Sequence, residues 1–268
     1  MTSLRNVFSH FNLTANPFSK EIATDELLLL PGIKSAMEQL KILFDIKGIG
    51  ILTGESGSGK TCLLRMAAKQ LPPGLYQTHY VCHTSVGILE FYTHLCDSFG
   101  LQPCGRRAIM FKRIHDHILH MNKTSRIHPV LIIDEADKLG NDILQEIRLL
   151  ANFEYDSVHA VTILLCGQEH LINKLGLSIL VSLANSVAIT VRVETLKKEE
   201  TLTYLENRVN RVSGGNALFT KQAMSLIHDA SAGVMRVINH MALQSLIKAH
   251  LTNSPNVEAD HVQALLSR

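Results

Sequence analysis

Residues 54 to 61 read Gly54-Glu55-Ser56-Gly57-Ser58-Gly59-Lys60-Thr61, a complete G-x-x-x-x-G-K-T octet whose residue types suit one task, the grip of a phosphate chain. The glycines let the backbone turn tightly and aim its N–H groups inward at anionic oxygens. In such a loop the Lys60 ammonium reaches the β- and γ-phosphates and the Thr61 hydroxyl ligates Mg²⁺. Glu55, Ser56 and Ser58 fill the loop, and Cys62 follows in the next turn. An apolar run (Ile49, Ile51, Leu52) precedes the octet and a helix-like stretch (Leu63–Leu71) follows, which is the strand–loop–helix setting the motif requires. The positive end of that helix adds to the attraction for phosphate. The implied ligand is a nucleoside triphosphate.

A second constellation adds hydrolysis. Val130-Leu131-Ile132-Ile133-Asp134-Glu135 is an unbroken apolar run ending in two carboxylates, the pattern of a buried parallel strand with acids at its C-terminal tip. Asp134 is expected to hold the Mg²⁺ shell. Glu135 is expected to orient and deprotonate the attacking water, the general-base role at a phosphate-loop site.

Positioning these residues takes a particular scaffold. The patterning predicts strands over Gly48–Thr53, Gln77–Cys82, Val130–Asp134, Val161–Gly167 and Val187–Val193. It predicts helices over Lys34–Asp45, Thr61–Leu71, Gly87–Phe99, Ile109–Met121, Asp142–Asn152 and His170–Leu175. Such alternation implies βαβ units and a parallel sheet. From Lys198 onward the spacing is helical: Thr201–Ser213, Thr220–Ser231, Val234–His250 and Glu258–Leu266, with joints at Gly214-Gly215-Asn216, Gly233 and Asn253-Ser254-Pro255-Asn256. The fold class is α/β: a phosphate-loop NTPase core with a parallel five-stranded sheet between helices, followed by a C-terminal helical lid. The expected domains are 1–195, including an N-terminal arm, and 196–268. Phe8, Phe11, Leu13 and Phe18 are expected to pack that arm onto the core.

Composition fits this picture. A chain of 268 residues, 46% of them hydrophobic, has ample core, and no apolar run has the length of a membrane span. Five scattered cysteines, an odd number with no Cys-x-x-Cys pair, read as reduced thiols, and the N-terminus does not read as a secretory signal. The expectation is a soluble cytoplasmic protein. The net charge of +2 argues for no partner by itself, so a nucleic-acid case rests on local clustering. Arg106, Arg107, Lys112, Arg113, Lys123 and Arg126 cluster against a single acid, Asp116. Without interleaved aromatics, contacts there would go to phosphates rather than stacked bases. His115, His117 and His120 do not share one helix face and read as a polar surface rather than a metal site.

The motifs together resemble a family. Asn16-Pro17-Phe18, the segment Gly48–Glu55, Leu131–Asp137, Ile147–Glu154, Leu164-Leu165-Cys166-Gly167-Gln168, Leu218-Phe219-Thr220 and Gly233–Asn239 look like the ExeA-type AAA+ ATPases, in family order from about residue 8 to the C-terminus. That family includes secretion-pathway ATPases and short transposon-encoded target selectors related to MuB, TniB and TnsC. The resemblance implies ATP with Mg²⁺. It likens Gln168 to a sensor touching the γ-phosphate or the lytic water, and Arg236, in Gly-x-x-Arg, to a lid sensor closing over the phosphates. It lines the adenine pocket with Asn16, Pro17 and Phe18. Relatives carry an arginine finger where this chain has Ser186, which implies slow hydrolysis, with Arg192 the nearest replacement.

By the same resemblance the basic stretch grips duplex DNA, with Arg106 and Arg107 first and Lys112 and Arg113 next. The chain then self-associates as a ring or filament in the ATP state and serves a transposase, with no membrane partner. The alternatives are a secretion-associated ATPase, expected to bring a membrane span and an envelope-facing domain that this sequence does not show, and a nucleotide switch acting on a protein without DNA.

Overall fold

The computed structural model describes residues 4–22, 28–82 and 85–267. The chain divides into two compact units, residues 31–54 with 60–193, and residues 1–30 with 55–59 and 194–268.

The first unit is built on five parallel strands: β1 (Ile49–Gly54), β2 (Tyr76–Val81), β3 (His128–Ile133), β4 (Thr162–Gly167) and β5 (Val187–Val193), in the spatial order β2-β3-β4-β1-β5. The three inner strands are buried along their whole length, as parallel strands covered on both faces must be, whereas the edge strands β2 and β5 each expose three residues. Helices α2 (Pro31–Ile46), α3 (Lys60–Gln70), α4 (Ile88–Ser98), α5 (Arg107–His120), α6 (Asn141–Leu150), α7 (His170–Leu175) and α8 (Val181–Asn185) complete it.

Strand alternation sorts the core. Ile49 and Ile51 of β1, Leu131 and Ile133 of β3, and Ile163 and Leu165 of β4 face one cluster with Phe91, Tyr92, Met110, Ile114, Leu144 and Ile147. The intervening positions face the other side, where Gly50 lies against α2: a Cβ there would come within 2.2 Å of the Leu43 side chain, which would have to shift. Between α5 and β3 the chain makes a π-helical turn, Met121–Ser125, and Asn122 bonds the Ile118 carbonyl at 3.0 Å and His128 Nδ1 at 3.2 Å. His128 Nε2 meets Thr162 Oγ1 at 3.0 Å, tying the start of β3 to β4.

The second unit holds α1 (Leu4–His10), α9 (Lys198–Ser213), α10 (Lys221–Ser231), α11 (Met235–Leu251) and α12 (Ala259–Leu266). Residues 1–30 therefore group with the C-terminal helices, where the sequence reading put the arm with the α/β core. The buried Arg208 of α9 explains the difference: its guanidinium donates to the Pro17 carbonyl at 2.6 Å and the Ser19 carbonyl at 2.7 Å. Thr14 N–H adds a bond to Val212 O at 2.9 Å, and Phe18 packs edge-on against Phe219 at 6.1 Å. Phe11, Leu13 and Phe18 are buried as the arm's apolar anchors. Among the described residues no helix is long and apolar enough to cross a membrane.

Candidate functional site

Register brings the chemistry of the α/β unit to one edge of the sheet. Thr53 at the end of β1 pairs with Gly167 at the end of β4, and Leu165 of β4 pairs with Ile133 at the end of β3. Gly54, Gln168 and Asp134 therefore leave neighbouring strands side by side. This edge lies at the C-terminal ends of the strands, where β1 sits between strands reached by connections running in opposite directions, the place where open α/β sheets bind ligands. Lys60 opens α3, and its ammonium donates to Gly54 O at 2.8 Å. The field of Lys60 and that of Asp134 both reach the Cys166 thiol, which burial pushes well above the usual range.

Both oxygens of the buried Asp134 are held. Oδ1 accepts from the Glu135 N–H at 2.9 Å and Oδ2 from the Tyr80 hydroxyl at 2.8 Å. Glu135 sits in the left-handed region with φ 54°, which turns its exposed carboxylate away from the strand direction, and Lys138 pairs with it at 2.5 Å. That hydrogen bond and charge raise the Lys138 ammonium above its ordinary value. The Gln168 side chain is exposed, and its backbone N–H is anchored by the buried Asp137, whose Oδ1 accepts it at 3.0 Å. His170 Nε2 meets the other Asp137 oxygen at 3.1 Å. Tyr80 and Asp137 were not singled out by sequence reasoning. The only signals were an aromatic near the end of an edge strand and a third acid after the Asp-Glu pair.

Residues 55–59 of the octet belong to the helical unit. Gly57 has φ +89°, and a Cβ on it would lie 2.7 Å from Arg236 Cβ. Only glycine combines that backbone with that approach. Arg236, in the first turn of α11, donates its backbone N–H to Gly57 O at 3.2 Å and its guanidinium to Ser56 Oγ at 3.3 Å. Ser58 is fully buried, yet among the described residues its hydroxyl has no hydrogen-bond partner. A buried hydroxyl left so is costly, and an anionic oxygen at the loop would satisfy it. Asn16 Oδ1 caps its own turn by accepting from Phe18 N–H at 2.9 Å, so Asn16, Pro17 and Phe18 are fixed on the helical unit by Arg208.

The AAA domain family matches residues 42–175, half of the chain. The chain belongs to this AAA family. It is an NTPase by that membership. It is 29% identical over 251 residues to General secretion pathway protein A of Aeromonas hydrophila, an alignment covering 92% of this chain and 45% of that protein. The chain thus spans less than half the length of that relative. Among solved structures it resembles Cdc6p of Pyrobaculum aerophilum (TM-score 0.71, 16% identity, 91% of this chain and 68% of that one). It also resembles the Aeropyrum pernix ORC1 protein in complex with DNA (0.71, 14%, 94% and 68%) and the Thermotoga maritima RuvB Holliday junction branch migration motor (0.60, 16%, 94% and 73%). These likenesses establish the fold: a five-stranded parallel sheet flanked by helices, as expected from the sequence.

Elsewhere on this AAA chain, the basic stretch is less uniform than its composition. Arg107, at the start of α5, pairs with Glu146 of α6 at 2.9 Å, and the other Glu146 oxygen accepts from Tyr92 OH at 2.7 Å. Arg113 donates to Gln102 O at 2.9 Å, and Lys123 pairs with Glu154. Arg106 and Lys112 are exposed and, among the described residues, have no ion-pair or side-chain hydrogen-bond partner. The histidines of α5 are not a polar face throughout. His115 stacks between Phe111 and Phe153 with centroids at 5.6 and 3.9 Å, and His117 packs edge-on to Phe99 at 6.0 Å, while His120 is exposed. Ser186 follows α8 and its hydroxyl donates to Leu183 O at 2.7 Å. Arg192 of β5 is paired with Glu169 of the same chain, Nε to Oε1 at 2.8 Å.

Proposed function

We propose that this AAA protein is an ATP-dependent DNA-binding ATPase that assembles on duplex DNA in its ATP state and serves transposition by recruiting or activating a transposase. The observation that carries the ATPase part is the convergence, by strand register, of Gly54, Asp134 and Gln168 on one sheet edge, with Lys60 bonded to Gly54. Gly54–Thr61 and Cys62 hold the phosphates, and Lys60 sets their position and neutralises charge as the γ-phosphoryl departs. ATP binds with Mg²⁺, which supplies electrostatic stabilisation of the phosphoryl oxygens. Thr61 and Asp134 are the residues that would hold the metal. Glu135 takes the proton of the attacking water once its carboxylate leaves Lys138. Gln168 orients that water, Arg236 caps the loop through Ser56 and Gly57, and Asn16, Pro17 and Phe18 face the base.

Hydrolysis is slow in this reading. Ser186 has no charge to offer a neighbour's γ-phosphate, and Arg192 is committed to Glu169. Arginine fingers contribute about 10³–10⁵ in turnover, so their absence prolongs the ATP state. ATP then works as a switch that favours assembly, and hydrolysis releases it. Duplex DNA is supported by exposed Arg106 and Lys112, with Arg107 and Arg113 beside them, and by the DNA-bound ORC1 neighbour. The transposon context rests on resemblance to short target selectors alone.

A second reading has an observation of its own. The 29% identity to General secretion pathway protein A favours a secretion-associated ATPase, in which the same nucleotide edge drives an envelope complex. The experiment that separates the two is equilibrium binding to a random-sequence duplex with ATP, ADP or no nucleotide across a salt series. ATP-dependent, steeply salt-sensitive binding that Lys60→Ala abolishes supports the DNA reading. Absence of binding in all three nucleotide states overturns it and leaves an ATPase acting on a protein partner.

A further inference from the structure

We infer that Tyr80 is a positioning residue of the magnesium site: its phenol sets the plane of the Asp134 carboxylate to receive the metal's water shell. This rests on the reading of Asp134 given above. The geometry is specific. Tyr80 pairs with Ile132 across β2 and β3, so its side chain leaves the same face of the sheet as Asp134, two residues beyond Ile132. The backbone pairing continues to that point, since Asp134 N–H donates to Val81 O at 2.8 Å. A tyrosine leaning along its strand spans about two residues, roughly 6.6 Å at strand rise, which brings its hydroxyl to Asp134 Oδ2 at 2.8 Å.

The carboxylate is thereby held at both ends. Glu135 N–H fixes Oδ1 and Tyr80 O–H fixes Oδ2, so rotation about the terminal torsion, ordinarily soft, is blocked. An ionised carboxylate has about four lone-pair sites, so each oxygen keeps one direction for a metal-bound water. Tyr80 is 48% exposed on an edge strand, where packing alone does not require a hydroxyl. Partners that orient metal-binding side chains typically matter by about 10–100-fold in metal affinity.

The test is equilibrium binding of a fluorescent ATP analogue to wild type and Tyr80→Phe, once in EDTA and once along a Mg²⁺ titration. Tyr80→Phe is expected to match wild type within about twofold in EDTA, because the phosphate loop is untouched, and to shift the Mg²⁺ midpoint upward by about tenfold. In an Asp134→Asn background the Tyr80→Phe change should shift the midpoint no further, an outcome that a purely structural effect on the edge strand would not give. A Mg²⁺ midpoint that is unchanged or lower in Tyr80→Phe overturns the inference while leaving the nucleotide site standing. Wild-type binding that is indifferent to Mg²⁺ overturns the magnesium-site reading itself. Should Tyr80→Phe lose binding in EDTA, the same titration on Tyr80→His, which keeps a ring N–H donor, decides: a midpoint as weak as that of Asp134→Asn overturns the inference, and an intermediate one supports it.

Discussion

The nucleotide edge of the sheet and the basic stretch of α5 place polar side chains by different means. At the edge, parallel register sets Gly54, Gln168 and Asp134 in line, and backbone groups hold them: Asp134 Oδ1 takes the Glu135 N–H, and Asp137 takes the Gln168 N–H. On α5, cations are spaced by helical periodicity alone, and each finds what partner it can. Arg107 finds Glu146 and Arg113 finds Gln102 O, while Arg106 and Lys112 remain open among the described residues. Residues placed by register can be assigned roles from spacing, whereas a charge cluster has to be reduced by its local partners before any of it is available to a ligand.

The sharpest way to break this comparison is at Glu135. Glu135→Gln keeps the shape and the backbone bonds at the strand tip but removes the carboxylate proposed to act as base. Steady-state ATP turnover is expected to fall by about 10²–10⁴, with nucleotide affinity kept within a few-fold. Turnover that survives Glu135→Gln would mean that register has gathered these groups for something other than water activation.

A smaller effect sharpens the other side. The double change Arg106→Ala with Lys112→Ala removes two open cations, and the slope of log K against log salt for duplex binding is expected to flatten by about 1.8. Arg107→Ala with Arg113→Ala removes the same formal charge from side chains already engaged by Glu146 and Gln102, and its slope change is expected to be smaller. Equal slopes for the two pairs would show that local partners do not decide which cations meet phosphate.

The same distinction accounts for what could be read from the sequence. All five strands and six of the seven helices around them were legible, the short α8 excepted, because runs of strand length alternate with helical spacing, and the octet and the Asp-Glu pair lie at element ends where register makes spacing meaningful. The α/β class followed and stands. What was not legible depends on contacts between segments far apart in the chain. Arg208 reads as one more helical cation until its bonds to Pro17 and Ser19 bring the arm to the helical unit. His115 and His117 read as a polar face until Phe153 and Phe99 pack on them. Tyr80 carries no motif, and its reach to Asp134 exists only once β2 and β3 are paired.

The least of the expected effects concerns a registered residue at the opposite end of β3. His128 is buried at the strand's first position, bonded to Thr162 Oγ1 and Asn122, and burial, with help from the charges of Lys47 and His159, lowers it to about 4 from its ordinary 6.5. Between those two values the unfolded chain binds the proton and the folded chain does not. His128 therefore contributes stability that is fully present above about pH 6.5 and is lost as pH falls towards about 4, with no further loss below. His79, lowered by burial under its stack on Phe99, adds in the same direction. Denaturation midpoints measured from pH 7 to pH 4 should fall for wild type. For His128→Gln they should fall less steeply over the same interval, even though the variant starts lower at pH 7. Parallel curves for the two proteins would show that His128 takes up its proton in the folded state as readily as in the unfolded one, and that register at this end of the strand places a side chain without controlling its charge.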